Sequence, residues 1–143
     1  MGKKKPRRIA GRYDVLRSLG EGTTGTTFLV TDTSNGATVV LKVPREDLSQ
    51  EVDLVRFQRA YAAMSQIDHP GIVRILEVGP SYLTVAYVPG DSIASLAGEP
   101  VHHVLDGAIE LAEILAAMHQ HGLIHRRIHP GNVRLDADGR LVL

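Results

Sequence analysis

Leu123-Ile124-His125-Arg126-Arg127-Ile128-His129-Pro130-Gly131-Asn132-Val133 is a polar loop set behind a long apolar helix. The helix is the run 104–120, in which Leu105, Ala108, Ile109, Leu111, Ala112, Ile114, Leu115 and Met118 occupy most of the circumference. A helix apolar on so many faces expects cover on several sides. After the loop come two short strand-like runs around the turn Ala137-Asp138-Gly139. Upstream, Pro89-Gly90-Asp91 reads as a linker, and before it the chain changes character from helical to β-rich.

Three short β-rich runs, 13–19, 26–31 and 37–43, open that earlier part, with a hairpin turn at Thr33-Ser34-Asn35-Gly36 because Asn and Gly tolerate positive φ. Ser49 is placed as the N-cap of a helix with Glu51 and Asp53 in its first turns, where the helix dipole favours acids. Val52, Val55, Tyr61, Met64 and Ile67 follow at helical spacing. His69-Pro70-Gly71 stops the helix, and 72–78 and 82–88 read as two further strands around Gly79-Pro80-Ser81.

At 143 residues, 43% hydrophobic and 22% charged, the chain has the composition of a globular domain. No run approaches the ~20 apolar residues of a membrane span, and the absence of cysteine excludes disulfides and thiolate metal sites. A cytoplasmic location is the expectation. Six of the sixteen basic residues fall in the first twelve positions, leaving ten to face all sixteen acids. Residues 1–12 are accordingly expected to be a solvated, disordered basic arm, without the interleaved aromatics of a specific nucleic-acid binder. The histidines at 102, 103, 119, 121 and 125 fit no common metal-ligand spacing.

Two further patterns carry chemistry. Gly20-Glu21-Gly22-Thr23-Thr24-Gly25 is a G-x-G-x-x-G between two strands, where missing Cβ atoms let the backbone approach phosphates. A dinucleotide-binding fold would put a helix after these glycines, whereas 26–31 is strand-like. One strand further on, Lys42 closes the apolar run Thr38-Val39-Val40-Leu41-Lys42.

Glycine run, strand lysine and the loop at 123–133, in this order and spacing, resemble the serine/threonine protein kinase family, in its eukaryotic-type form found in bacteria. Arg56-Phe57-Gln58-Arg59, His69-Pro70-Gly71-Ile72-Val73 and Tyr87-Val88-Pro89-Gly90 resemble the helix, the loop after it and the hinge of that family. The resemblance covers residues 13–143 and implies an α+β fold. It implies an N-terminal lobe over 13–88, of five antiparallel strands and one helix, then a hinge and the start of a helical C-terminal lobe over 89–143. It also implies ATP, with magnesium accompanying it. Leu19, Gly20, Glu21, Gly22, Thr23, Thr24, Gly25, Thr27, Val40 and Lys42 fall at nucleotide-binding positions, and His125, Arg126, His129 and Asn132 in the catalytic loop.

The departures from the family fall on the chemistry. Its catalytic aspartate aligns with Arg127, and a guanidinium of pKa above ~12 cannot accept a proton. His129 stands at the position of the loop lysine, and Ala60 at that of the helix glutamate that pairs with the strand lysine. Glu51, about 13 Å along the helix and half a turn round, and Asp53, about 10 Å away, do not replace it. Val40 narrows the adenine slot where the family has alanine, and Thr27 replaces the valine above the base. The D-F-G segment, whose aspartate holds magnesium, would follow Leu143; Asn132 alone makes an incomplete metal site. These features imply a kinase-like module without phosphotransferase activity that binds nucleotide weakly or binds a protein, with a partner or a second copy meeting the 104–120 helix. The competing reading is an active serine/threonine kinase completed by another chain or by further sequence. His129-Pro130-Gly131-Asn132 is also similar to the aminoglycoside-kinase type of phosphotransferase, which typically lacks the glycine triplet.

Overall fold

The computed structural model describes residues 7–22, 25–45 and 51–143, with the side chains of 51–54 excepted. Ser49, the expected N-cap, and Thr23 and Thr24 of the glycine run lie outside the described residues. The chain divides into two compact units, Met1–Tyr61 with Ile75–Tyr87, and Ala62–Arg74 with Val88–Leu143. The lobe expected over 13–88 therefore differs from the first unit, which also takes in 1–12 and leaves Ala62–Arg74 and Val88 to the second.

In the first unit a six-stranded antiparallel sheet runs in the order β1-β2-β3-β4-β6-β5, from β1 (Arg8–Ile9), β2 (Tyr13–Gly22), β3 (Gly25–Asp32), β4 (Thr38–Pro44), β5 (Ile75–Val78) and β6 (Leu83–Ala86). Side chains alternate across a strand. Val39 and Leu41 of β4 accordingly join Tyr13, Phe28 and Val30 in one buried cluster, against which Ile9, Val15, Val43 and Tyr82 pack. Each such side chain fully withdrawn from water contributes about 1.5–3 kcal/mol. The expected hairpin turn is present between β3 and β4, with Gly36 at φ 74° and its N–H donating to the Asp32 carbonyl at 2.7 Å.

The disordered arm expected over 1–12 is corrected for its described part. Arg8 and Ile9 pair with Asp14 and Tyr13 as an edge strand, and the Arg8 guanidinium meets the Asp14 carboxylate at 2.6 Å. Arg12 donates twice to Asp32, at 2.7 and 2.6 Å, and once to Glu77 at 2.8 Å. Tyr13 and Tyr82 also donate to Glu77, at 3.2 and 2.6 Å. Positive charge in the arm is thus matched by acids of the sheet, which is why these residues order.

Helix α1 (Glu51–Met64) is anchored in the first unit by Gln58, whose amide donates to the carbonyls of Gly79 and Pro80 in the β5–β6 turn at 3.2 and 3.0 Å. Its half-buried residues are Phe57, Gln58, Tyr61 and Met64, whereas Val55, expected on the covered face, is exposed.

The second unit is built on α2 (Val101–Gln120), which begins three residues before the expected start because Pro100 occupies its N-cap. Short 3₁₀ turns at Ile93–Leu96 and Pro130–Asn132 and the hairpin β7 (Arg134–Leu135) with β8 (Leu141–Val142) complete it. Its core holds Ile67, Ile72, Ile114, Met118, Val133, Leu141 and Leu143. Two contacts set the hairpin: the Glu110 carboxylate accepts from Leu141 N–H at 2.9 Å, and Leu143 exchanges backbone bonds with Gly71 and Val73 at 2.8 and 2.9 Å. The cover expected for α2 is found on one side only. Ile114 and Met118, at 0% and 2% exposure, are covered by this core, while Leu105 and Ile109 stand 57% and 59% exposed.

Candidate functional site

In the first unit the strand register aligns the glycine run with the lysine. Gly20 faces Thr27 across β2 and β3, Thr27 faces Lys42 across β3 and β4, and Lys42 faces Leu83 across β4 and β6. Two residues along, Leu29, Val40 and Val85 form the next row. Because residues two apart share a face, Thr27, Val40 and Lys42 lie on one side of the sheet, opposite the Phe28, Val30, Val39 and Leu41 cluster. The glycine run is not a free loop: Gly20, Glu21 and Gly22 continue the ladder to Gly25, and two register shifts, between Val15 and Arg17 and between Ser18 and Gly20, displace Leu19. Gly25 is required at its position. With φ at 151°, a Cβ there would run into the Val43 carbonyl and the Cα of Pro44.

Lys42 is half-buried, and desolvation of its ammonium lowers its pKa below the ordinary lysine value. Among the described residues no carboxylate lies within ion-pair distance of it. Ala60, at the position expected to supply that carboxylate, is exposed on α1. A desolvated cation with no carboxylate partner among the described residues fits an anionic ligand such as a phosphate chain.

The opposite face of the same sheet carries an open hollow of about 490 Å³, lined by Arg7, Ile9, Glu21, Phe28, Val43 and Arg45 among others. Sequence reading misses it, because the expectation for Arg7 and Ile9 is a disordered arm.

In the second unit the loop is held by side chains bonding to its own backbone. His125 Nδ1 accepts from the Arg127 N–H at 3.2 Å, and the Asn132 amide donates to the Arg127 carbonyl at 2.9 Å. His129 Nδ1 accepts from the Gly131 N–H at 3.1 Å and so caps the 3₁₀ turn Pro130–Asn132. Arg126 between them has φ 63°, a left-handed conformation that costs a non-glycine residue of order 1 kcal/mol or more. Ser92 donates to the Pro130 carbonyl at 2.6 Å, and Arg134 donates to the carbonyl of Gly90. His69 Nδ1 accepts from Gly71 N–H at 3.0 Å in the same way as His129 does from Gly131. The repeated His-Pro-Gly at 69–71 and 129–131 is the sequence signal for this bond.

Gly20, Glu21, Gly22, Gly25, Thr27, Val40 and Lys42 thus belong to the first unit, and His125, Arg126, Arg127, His129 and Asn132 to the second. Within the loop Asn132 Nδ2 is committed to Arg127, leaving its Oδ1 as the atom able to meet a cation. Among the described residues no three His, Asp or Glu side chains gather as a metal site.

The family model described as the protein kinase domain matches residues 13–143. The serine/threonine-protein kinase pkn2 of Myxococcus xanthus is 36% identical over 140 residues, 92% of this chain and 17% of its own length. The DNA damage-responsive serine/threonine-protein kinase RqkA of Deinococcus radiodurans is 34% identical, over 92% of this chain and 21% of its own length. PrkC of Bacillus subtilis is 31% identical, over 94% of this chain and 22% of its own length. The crystal structure of the PknI kinase domain of Mycobacterium tuberculosis, solved as a cysteine-to-alanine mutant, superposes with a TM-score of 0.79 at 28% identity, over 100% of this chain and 62% of that one.

Proposed function

Because the chain belongs to the protein kinase family, we propose that it serves as a kinase-like module that transfers no phosphate itself and instead binds nucleotide weakly or binds a protein. The observation that carries this reading is Arg127 at the position of the family's proton-accepting aspartate. A permanently charged guanidinium has no lone pair to offer a substrate hydroxyl. His129 is no substitute: its Nδ1 is taken by the Gly131 N–H, so the neutral ring carries its proton on Nε2 and donates there.

ATP would supply the phosphoryl group in an active relative. Here Lys42, with Gly20 and Gly22, would hold the phosphates, Thr27 and Val40 would border the base, and Asn132 Oδ1 would offer a magnesium ion a single ligand from this chain. Magnesium usually takes more than that, from carboxylates or from the phosphates themselves. Calorimetric titration with ATP, with and without magnesium, is expected to give weak binding that magnesium changes little.

A protein or a second copy of the chain would meet α2 through Val101, Leu105 and Ile109, which are exposed and spaced four residues apart on one stripe. The direct test is incorporation of radiolabelled phosphate from ATP by the purified chain, beside Lys42→Met. Equal background for the two is expected, and incorporation above that control would refute inactivity. One fact favours the competing reading of an active kinase completed by other sequence: the chain spans 62% of the PknI kinase domain structure. Transfer by a longer polypeptide that contains these residues, dependent on Lys42, would support it.

A further inference from the structure

The hairpin between β3 and β4 sets one of the chain's two asparagines before a glycine, Asn35-Gly36, whereas the other, Asn132, precedes Val133. The difference bears on a reaction open to any asparagine. The backbone nitrogen of the next residue attacks the side-chain Cγ, a C–N bond forms to close a cyclic succinimide, and the bond from Cγ to Nδ2 breaks as ammonia leaves. Hydroxide takes the proton of the attacking N–H, and water supplies the proton with which the amide departs. A water molecule then opens the ring. Cleavage at Cγ gives aspartate, and cleavage at the former main-chain carbonyl gives isoaspartate, in which the backbone runs through Cγ and is longer by one carbon. Nothing is oxidised or reduced.

Gly36 offers no Cβ to obstruct that attack, whereas Val133 is branched at Cβ. Residues 33–37 are all exposed, so water and hydroxide reach the turn, while Asn132 is half-buried with its Nδ2 bonded to the Arg127 carbonyl at 2.9 Å. The turn restrains the reaction at one atom and favours it at another. Gly36 N–H donates to the Asp32 carbonyl at 2.7 Å, so the attacking nitrogen keeps its proton. Ala37 N–H donates to Asn35 Oδ1 at 2.9 Å, and a donor there stabilises the negative charge that develops on this oxygen during attack. The nucleophile is locked and the electrophile is activated. Asp32 ties the lock together: its carboxylate accepts from the Ser34 N–H and hydroxyl at 2.9 and 2.7 Å and from Arg12 at 2.7 and 2.6 Å, and its own N–H donates to the Ala37 carbonyl at 2.8 Å.

We propose that Asn35 is a modification site, where the chain converts spontaneously to isoaspartate and aspartate at a pace set by opening of the turn that Asp32 holds closed. Aspartate keeps an oxygen acceptor for the Ala37 N–H. Isoaspartate instead lengthens the turn and displaces Asp32 from Ala37, which loosens the ion pair between Asp32 and Arg12.

Storage of the folded chain in warm, mildly alkaline buffer, followed by proteolysis and mass spectrometry, tests the proposal. Enzymatic methylation of the α-carboxylate distinguishes isoaspartate from aspartate. Asn35 should convert, with isoaspartate among the products, while Asn132 stays intact over the same period. Asp32→Ala loses the carboxylate bonds to Ser34 and Arg12 and should convert about ten-fold faster, the size expected when one or two hydrogen bonds cease to hold a local structure closed. Ser34→Ala loses only the hydroxyl bond and should convert faster by a smaller factor. Thermal melts followed by circular dichroism identify any variant that fails to fold, and Ser34→Ala then stands as the second variant. Asn35→Asp should melt near the natural chain, and the isoaspartate form, separated by ion exchange, should melt lower.

Conversion of Asn132 as fast as that of Asn35 would overturn the proposal. So would an Asn35 that stays intact in the natural chain and in both variants. Equal rates in the natural chain and the folded variants would show that the Asp32 turn does not set the pace, and would overturn it as well. An isoaspartate form as stable as Asn35→Asp would contradict the loosening proposed for Asp32 and Arg12.

Discussion

The strand face around Lys42 and the loop around Arg127 are assembled on opposite plans. On the strand face, Gly20, Thr27, Val40 and Lys42 are placed by the backbone ladder, and among the described residues no side chain meets Lys42 in an ion pair. In the loop, His125, His129 and Asn132 bond to the backbone, so a side-chain network fixes the shape. The difference teaches where chemistry can be lost without losing form. Position 127 enters that network through its N–H and carbonyl, groups that any residue but proline supplies, so an arginine makes the same two bonds an aspartate would. Lys42 on a strand is equally indifferent to whether position 60 holds Ala60 or the glutamate expected there, because the ladder holds it.

The comparison can be broken most forcibly from the core of the second unit. Ile114 is fully buried, and its side chain fills the space beside Gly71 that a Cβ would otherwise take. Ile114→Ala should cost about 2–5 kcal/mol in urea unfolding. A loss below about 1 kcal/mol would mean that this core is not what supports the loop.

Next in size is Asp32, 4% exposed, which accepts two bonds from Arg12 and two from Ser34. Asp32→Ala should cost about 2 kcal/mol at neutral pH. The Arg12 guanidinium, aided by Ser34, holds this carboxyl well below the ordinary carboxylate range. A depressed carboxyl contributes stability above the unfolded-state pKa and loses it as pH falls through the folded value. The gap between the natural chain and Asp32→Ala should therefore shrink below about pH 4. A gap that stays constant down to about pH 2 would show that the ion pair is not its source.

His129 sharpens the contrast between shape and chemistry. His129→Ala removes the cap on the 3₁₀ turn and should cost about 1 kcal/mol, whereas His129→Asn should cost much less. Equal losses in thermal melts would mean that the bond to Gly131 contributes nothing. Smallest per residue is the surface of α2. Leu105→Gln with Ile109→Gln should leave the melting temperature near that of the natural chain while reducing self-association in light scattering. A natural chain that is monomeric at tens of micromolar would remove the reason to propose a partner there.

Much of this was readable in residues 13–43, where alternation put Val40 and Lys42 on one face and Asn35-Gly36 marked the turn. Residues 7–12 were not, because a two-residue strand has no period to detect. The partners of Arg12 lie 20 and 65 positions away, at Asp32 and Glu77. On α2 the apolar residues announced burial without saying which face obtains it. That is decided by Ile67, Ile72, Leu141 and Leu143, brought from distant parts of the chain. In the loop the motif marked Asn132 and His129 by resemblance, but their bonds to backbone atoms follow from turn geometry that no spacing rule encodes.

The claim that position 127 keeps the loop's shape without its chemistry is tested most directly by restoring the acid. Arg127→Asp should fold as the natural chain does, since His125 and Asn132 bond to the backbone there, and should still incorporate no radiolabelled phosphate from ATP above a Lys42→Met control. Base and helix glutamate act together, and Ala60 still stands at the position expected for the glutamate in this variant, so a single repair is not expected to revive transfer. Label incorporated by folded Arg127→Asp, and abolished when Lys42→Met is added, would contradict the account.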